Sequence, residues 1–385
     1  LNGVPTSANR QTSIDLLRTD LKFDGFLVSD WEEIYMMEYF HKYATDRQGT
    51  VFKVMSNSSL DMSMVPTDTS FIGYMRPLYD SGKVSLDRIR TSAQRIVKVK
   101  LQLNLHNDPV LGADLANALG DFDSQSAALE TAKASLVLVK NTNNVLPLDP
   151  AKYFYFTGPS IDDIGLLCGG WTIHWQGVQG TSNFPAYGRT IQADMSGVVG
   201  NATRAQFYQG VNIDGTWWDI NLAKQKAQAD NYTVIGWGSG HLAAAVLNAG
   251  LPCELGGEAI SSVLFGSTNP SGKLPLTYPK STDLINLATP YYGRVGDEWV
   301  VGGVKTHCPV EWHFGHGLSY TSFSYSDAQL SATNLTPSSS ETTVTVTVKN
   351  EGGITGKESV LLSSVVCEEL QQEFLHSALG RRYPK

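Results

Sequence analysis

The chain has 385 residues, of which 42% are hydrophobic and 17% charged, with a formal net charge of −8. Such a length is a prior for two or three domains, each large enough to bury a core. The acidic balance argues against a nucleic-acid partner, no apolar run is long enough to span a membrane, and four cysteines without metal-ligand spacing are no disulfide scaffold.

Near the start, the turn pair Asp24-Gly25 leads into a short apolar run, Phe26-Leu27-Val28, which ends at Ser29-Asp30-Trp31. A helical pattern then continues to about Lys42. An acid at the end of a buried strand is where α/β barrels place catalytic side chains. A Trp beside it suits a sugar ring, which has an apolar face and polar edges. Asp30 is therefore a candidate nucleophile for glycoside cleavage. A second reading stands beside that one. Ser29 lies three residues before Glu32 and Asp30 three before Glu33, and both spacings fit a capping box.

Residues 59–65 read as a second strand, with Asp61 as a structural cap or loop anchor. Ser85 reads as the cap of a helix whose apolar positions Leu86, Ile89, Ile96, Val97 and Leu101 fall near helical spacing. Asn107-Asp108-Pro109 and the small residues to Gly120 form a linker. A helix follows at about 124–133, then a buried strand at 135–139, closed by the turn-rich Asn141-Thr142-Asn143-Asn144. Phe154-Tyr155-Phe156 and Thr233-Val234-Ile235 read as further strands and 256–265 as a helix, together a second α/β domain. Glu254 and Glu258 are helix-start acids. Cys308, His313 and His316 lack a fourth ligand for zinc and read as loop. Gly236-x-Gly238-x-Gly240 is too weak for a nucleotide loop. From about Asp327 the pattern changes. Thr336–Ser340 is a loop, Val344, Val346 and Val348 alternate with threonines as in a half-buried strand, and 359–366 is a second strand.

Five motifs carry a resemblance. Phe23-Asp24-Gly25-Phe26-Leu27-Val28-Ser29-Asp30-Trp31 resembles the nucleophile segment of glycoside hydrolase family 3, the β-glucosidase and exo-β-glucanase family. The stretches 2–9, 169–177, 269–279 and 314–321 resemble further segments of that family in the same order. The resemblance implies an α/β fold. Residues 1–106 would be the C-terminal part of a (β/α)8-type barrel, 107–123 a linker and 124–326 an α/β sandwich domain with a deletion near 236–247. Residues 327–385 would be the truncated start of a fibronectin-III-like β-sandwich.

It also implies a retaining hydrolase, with Asp30 as nucleophile and Trp31 and Trp175 as two tryptophans that hold a glucose between their faces. The alternative for each Trp is core packing. The implied partners are β-linked glucosides or oligosaccharides, with no metal or cofactor. No residue matches the family's acid/base Glu, because no Glu or Asp occurs between Asn231 and Cys253. The earlier barrel strands that grip the sugar have no counterpart either. The expectation is therefore a truncated or mis-spliced member, and a non-catalytic remnant is the alternative in another class. β-Xylosidase or β-N-acetylglucosaminidase specificity stands within the family. Sequons at Asn57, Asn201, Asn231 and Asn334 are compatible with an extracellular location.

Overall fold

Two units divide between Asn117 and Ala118. The computed structural model describes residues 3–65, 67–214, 216, 219, 221–222, 225, 232–236, 243–280, 298–301, 304–307, 310–332 and 341–362. Among these, no helix is long and apolar enough to cross a membrane.

The first unit begins with a 3-10 turn (Thr6–Ala8) and a π-helical stretch (Gln11–Asp20). Strand β1 (Val28–Trp31) leads to helix α1 (Glu33–Tyr39), which stops short of Lys42. Helix α2 (Arg47–Asn57) is capped by Asp46, whose side chain accepts from the Gly49 amide at 2.6 Å. Strand β2 (Met62–Met64) then lies parallel to β1. Helices α3 (Ser70–Asp80) and α4 (Leu86–Gln102) complete the unit. Ser85 caps α4 as its spacing predicts, accepting from the Arg88 amide at 3.2 Å. Two parallel strands joined through a helix pair are the βα pattern of an α/β fold. The core consists of Ile34, Tyr35 and Met37 from α1, Val51 and Val54 from α2, and Leu78 from α3. The apolar positions of α4 are less covered than the periodicity predicts, with Val97 and Leu101 more than half exposed.

In the second unit, α5 (Phe122–Ser135) precedes β3 (Val137–Asn141), and β4 (Tyr153–Thr157) follows. Then come α6 (Ile164–Cys168), α7 (Ile191–Val199), β5 (Ala205–Tyr208), β6 (Tyr232–Gly236) and β7 (Ala245–Asn248). Strand β4 runs in the middle of a parallel sheet ordered β5-β4-β6, while β3 pairs with β7 antiparallel. Helix α8 (Gly256–Leu264) packs Ala259, Ile260 and Val263 against Leu136, Leu138, Phe154 and Phe156. The aromatic run at 154–156 is buried throughout, as a central parallel strand requires. Short strands follow: β8 (Tyr278–Pro279) pairs with β11 (Val310–Trp312), and β9 (Glu298–Val301) with β10 (Val304–His307).

The last described elements are β12 (Phe323–Leu330) and β13 (Val344–Asn350), an antiparallel pair. Strand β12 begins before Asp327, so the change of character falls inside an element. Residues 359–362 form no strand, contrary to the second strand expected at 359–366, and 363–366 lie outside the described residues. The reason is visible on β13. Of its valines only Val346 is partly covered, while Val344 and Val348 are exposed, so the described residues offer no second apolar layer to reward a further strand. The loop at 336–340, residues 237–240 of the glycine pattern, and Cys308 also lie outside the described residues.

Candidate active site

Asp30 sits on β1 itself, where the pairing with β2 slips. Val28 pairs with Met62 and Trp31 with Met64, so three steps on β1 oppose two on β2. Such a bulge re-aims a side chain. Ser29 takes up the slip. It is buried, its hydroxyl donates to the Asp30 carbonyl at 2.8 Å, and it accepts from the Met64 amide at 2.9 Å. The Glu32 amide then bonds the Met64 carbonyl at 3.1 Å. Asp30 is exposed, and its Oδ1 accepts from the Trp31 amide at 2.7 Å.

Neither Ser29 nor Asp30 caps the helix. The residue before α1 is Glu32, at φ 52°, and its side chain makes no cap bond. Only the reverse half of the capping box forms, the Asp30 amide donating to Glu33 Oε2 at 3.3 Å. The bulge accounts for this, because it carries the backbone of residues 29 and 30 into the β1–β2 ladder instead of the helix end.

Beneath the bulge lies Asp61, just before β2 rather than at a strand end. Its carboxylate is wholly buried. Oδ2 accepts from Arg18 at 3.0 Å and from the Leu27 amide at 3.0 Å. Oδ1 accepts from Ser92 at 2.7 Å and Arg95 at 3.1 Å, with Arg88 3.8 Å away. Arg18 also donates to the carbonyls of Phe23 and Gly25. Burial lowers the pKa of Arg18 and of Arg88, and Asp61 counters it in both. The approach to β1 is thus tied from both sides to one anion, which is the anchoring role that the sequence assigns to Asp61.

In the second unit, α6 ends at Gly169 (φ 73°), which opens the loop 169–180. Asp163 closes it: its carboxylate accepts from the Leu166 amide at 3.0 Å and the Gly180 amide at 2.9 Å. Within the loop the Trp171 amide bonds the Trp175 carbonyl at 3.0 Å, and Trp171 and Ile173 both hold φ of 63°. The chain is so tight here that a Cβ on Gly177 would stand 2.5 Å from the Gly169 carbonyl oxygen.

Trp31, Trp171 and Trp175 are not core. Trp31 is 53% exposed, Trp175 66% and Trp171 85%. The rings of Trp171 and Trp175 lie 6.4 Å apart at 65°. Apolar rings held out to water by a rigid loop can stack on the face of a sugar. Trp171 was legible in the sequence only as one letter of a motif, and its exposure makes it as good a candidate as Trp175. Asp30 and Trp31 belong to the first unit, Trp171 and Trp175 to the second.

The zinc reading at 308–316 finds no support at His316, whose Nε2 lies 2.8 Å from the Val139 carbonyl oxygen as a structural contact. Glu258 stands in the first turn of α8, as a helix-start acid should.

Residues 1–99 match the family model described as glycosyl hydrolase family 3 N terminal domain, and residues 227–320 match the glycosyl hydrolase family 3 C-terminal domain. A lysosomal beta glucosidase of Dictyostelium discoideum is 31% identical over 430 residues, covering 94% of this chain and 51% of that one. A beta-xylosidase of Formosa agariphila is 25% identical over 419 residues, covering 93% of this chain and 57% of the relative. The crystal structure of a beta-glucosidase from Listeria innocua shares the fold at a TM-score of 0.71 and 21% identity, over 92% of this chain and 55% of that one. A mutant of that Listeria enzyme has been solved with laminaribiose. The chain spans about half the length of the curated relatives it matches.

Proposed function

We propose that this chain, which belongs to glycoside hydrolase family 3, carries the nucleophile and sugar platform of a retaining β-glucosidase-type hydrolase. The observation that supports this most is Asp30, an exposed carboxylate presented on a bulge at the end of a strand that lies parallel to its neighbour. In this reading one Asp30 oxygen attacks the anomeric carbon as the bond to the leaving oxygen breaks, and the leaving oxygen takes up a proton from solvent. Water then attacks the same carbon and gives a proton to solvent, the ester bond breaks, and the carboxylate is restored. The Trp31 amide holds Oδ1 and so orients the carboxylate for attack. Trp31 in the first unit, and Trp171 and Trp175 in the second, each present an apolar face on which a sugar can stack.

The substrate class is a β-linked glucoside or glucan oligosaccharide, in line with the names of the glucosidase relatives and the laminaribiose complex. The β-xylosidase relative favours a second reading, β-xyloside specificity at the same site. On the finer fold, we read the first unit as βα units of a (β/α)8-type barrel. The second would be an α/β sandwich, with β12 and β13 as the start of a fibronectin-III-like layer. The exposed sequons at Asn57 and Asn201 support an extracellular location, while Asn231 and Asn334 lie outside the described residues.

The test is hydrolysis of aryl β-glucoside and aryl β-xyloside by the wild type and by Asp30→Ala. Glucoside should be preferred, and Asp30→Ala should lose at least about 1,000-fold in turnover, since the attacking atom is gone. Turnover by Asp30→Ala near the wild-type rate would refute the assignment.

A further inference from the structure

Three metal-ligating side chains converge in the second unit at a place the hydrolytic reading does not use. Cys168 is the last residue of α6 and is 2% exposed. Cys253 and Glu254 begin the 3-10 turn Cys253–Leu255 that feeds α8. The two Sγ atoms and a Glu254 carboxylate oxygen all lie within 4.8 Å of one another. Both thiols are free. The sequence hides the cluster, because 253 − 168 = 85 positions separate the cysteines and no motif links them.

We propose that Cys168, Cys253 and Glu254 form a binding site for a soft divalent cation of the Zn2+ class, with its fourth position open to solvent or a further ligand. The donor set argues for the class of ion. Two sulfurs select zinc-like ions over magnesium or calcium, which prefer oxygen alone. The geometry is close to what such an ion needs. Around a tetrahedral Zn2+ with Zn–S of about 2.3 Å and Zn–O of about 2.1 Å, donors stand about 3.5–3.8 Å apart. Side-chain rotation can close the remaining distance.

A disulfide would leave Glu254 without a role. It would also need an external oxidant to take two electrons as two protons leave.

The ion would have a structural consequence. Gly169 follows Cys168 directly and opens the loop that bears Trp171 and Trp175, so a bound cation ties the base of that loop to the start of α8.

The experiment uses the full chain, reduced and stripped of metal by a chelator, and titrated with Co2+ and then Zn2+. The expected result is one ion per chain, a thiolate-to-cobalt charge-transfer band, and displacement of Co2+ by Zn2+. Zn2+ should also protect Cys168 and Cys253 from alkylation, read peptide by peptide. Cys253→Ser should abolish most of the band and weaken Zn2+ binding by more than about 100-fold, beyond the loss expected for an outer-shell partner. Glu254→Gln should keep the band and bind more weakly. Circular dichroism of each metal-free variant separates this from misfolding. No charge-transfer band in the wild type would overturn the proposal. So would a band that survives Cys253→Ser, or a Cys168–Cys253 disulfide forming in air while Zn2+ fails to bind the reduced chain.

Discussion

Asp61 gathers one buried carboxylate, three guanidinium groups and the Leu27 amide into a single cluster, and its removal should be costly. Asp61→Ala would leave Arg18, Arg88 and Arg95 facing one another without their anion. Breaking such a pair from one side costs about 3–5 kcal/mol, and a urea midpoint should fall accordingly. A change below about 1 kcal/mol would mean that the arginines find other partners. The tryptophans should behave in the opposite way. Trp171 and Trp175 are mostly in water, so Trp171→Ala and Trp175→Ala should each shift stability by no more than about 0.5 kcal/mol. The same variants should lower affinity for glucose or laminaribiose in calorimetry. A large stability loss with unchanged sugar binding would make them structural. The position of Asp30 was legible because an apolar run, then Ser-Asp-Trp, then a helical pattern marks the end of a strand that feeds a helix. Its bulge and the exposure of Trp171 were not. Both depend on a partner strand and on loop closure, and neither leaves a local trace.

At the scale of elements, the long and well-signalled ones could be read directly: α4 from Ser85 and its apolar spacing, α8 from the run after Gly256, β4 from its three aromatics. Helices α2 and α3 were missed. The first contains Gly49 and the β-branched Thr50, Val51 and Val54, and the second contains Gly73 and Pro77, all poor helix formers. Burial of Val51, Val54 and Leu78 overrides those propensities. The strand expected at 359–366 is absent over 359–362, where the described residues offer no second apolar layer to pack on.

The connection that holds the tryptophan loop makes its own prediction. A Cβ on Gly165 would stand 1.7 Å from the Val178 carbonyl oxygen. Backbone cannot yield as a side-chain tip can. Gly165→Ala should therefore cost about 3 kcal/mol, the upper end of ordinary overpacking, and should quench or shift the fluorescence of the exposed tryptophans. Gly73→Ala on α3, where a Cβ meets nothing within 4 Å, is the control and should leave stability equal or higher.

For the whole molecule, family membership and two α/β units follow from motifs spread over most of the chain, which is why a single sequence sufficed to place it. What pattern could not provide was the state of the chemistry. The chain spans about half the length of its curated relatives, and the resemblance assigns none of its residues to the acid/base role. The central claim is therefore about Asp30 and can be tested without a strong acid catalyst. A 2-deoxy-2-fluoro-β-glucoside with a good leaving group forms the glycosyl ester and slows its hydrolysis. Intact-mass spectrometry after incubation should show one added fluoroglucosyl group, mapped by peptide to Asp30 and missing in Asp30→Ala. An unmodified chain, under conditions where the Dictyostelium relative is labelled, would contradict the account.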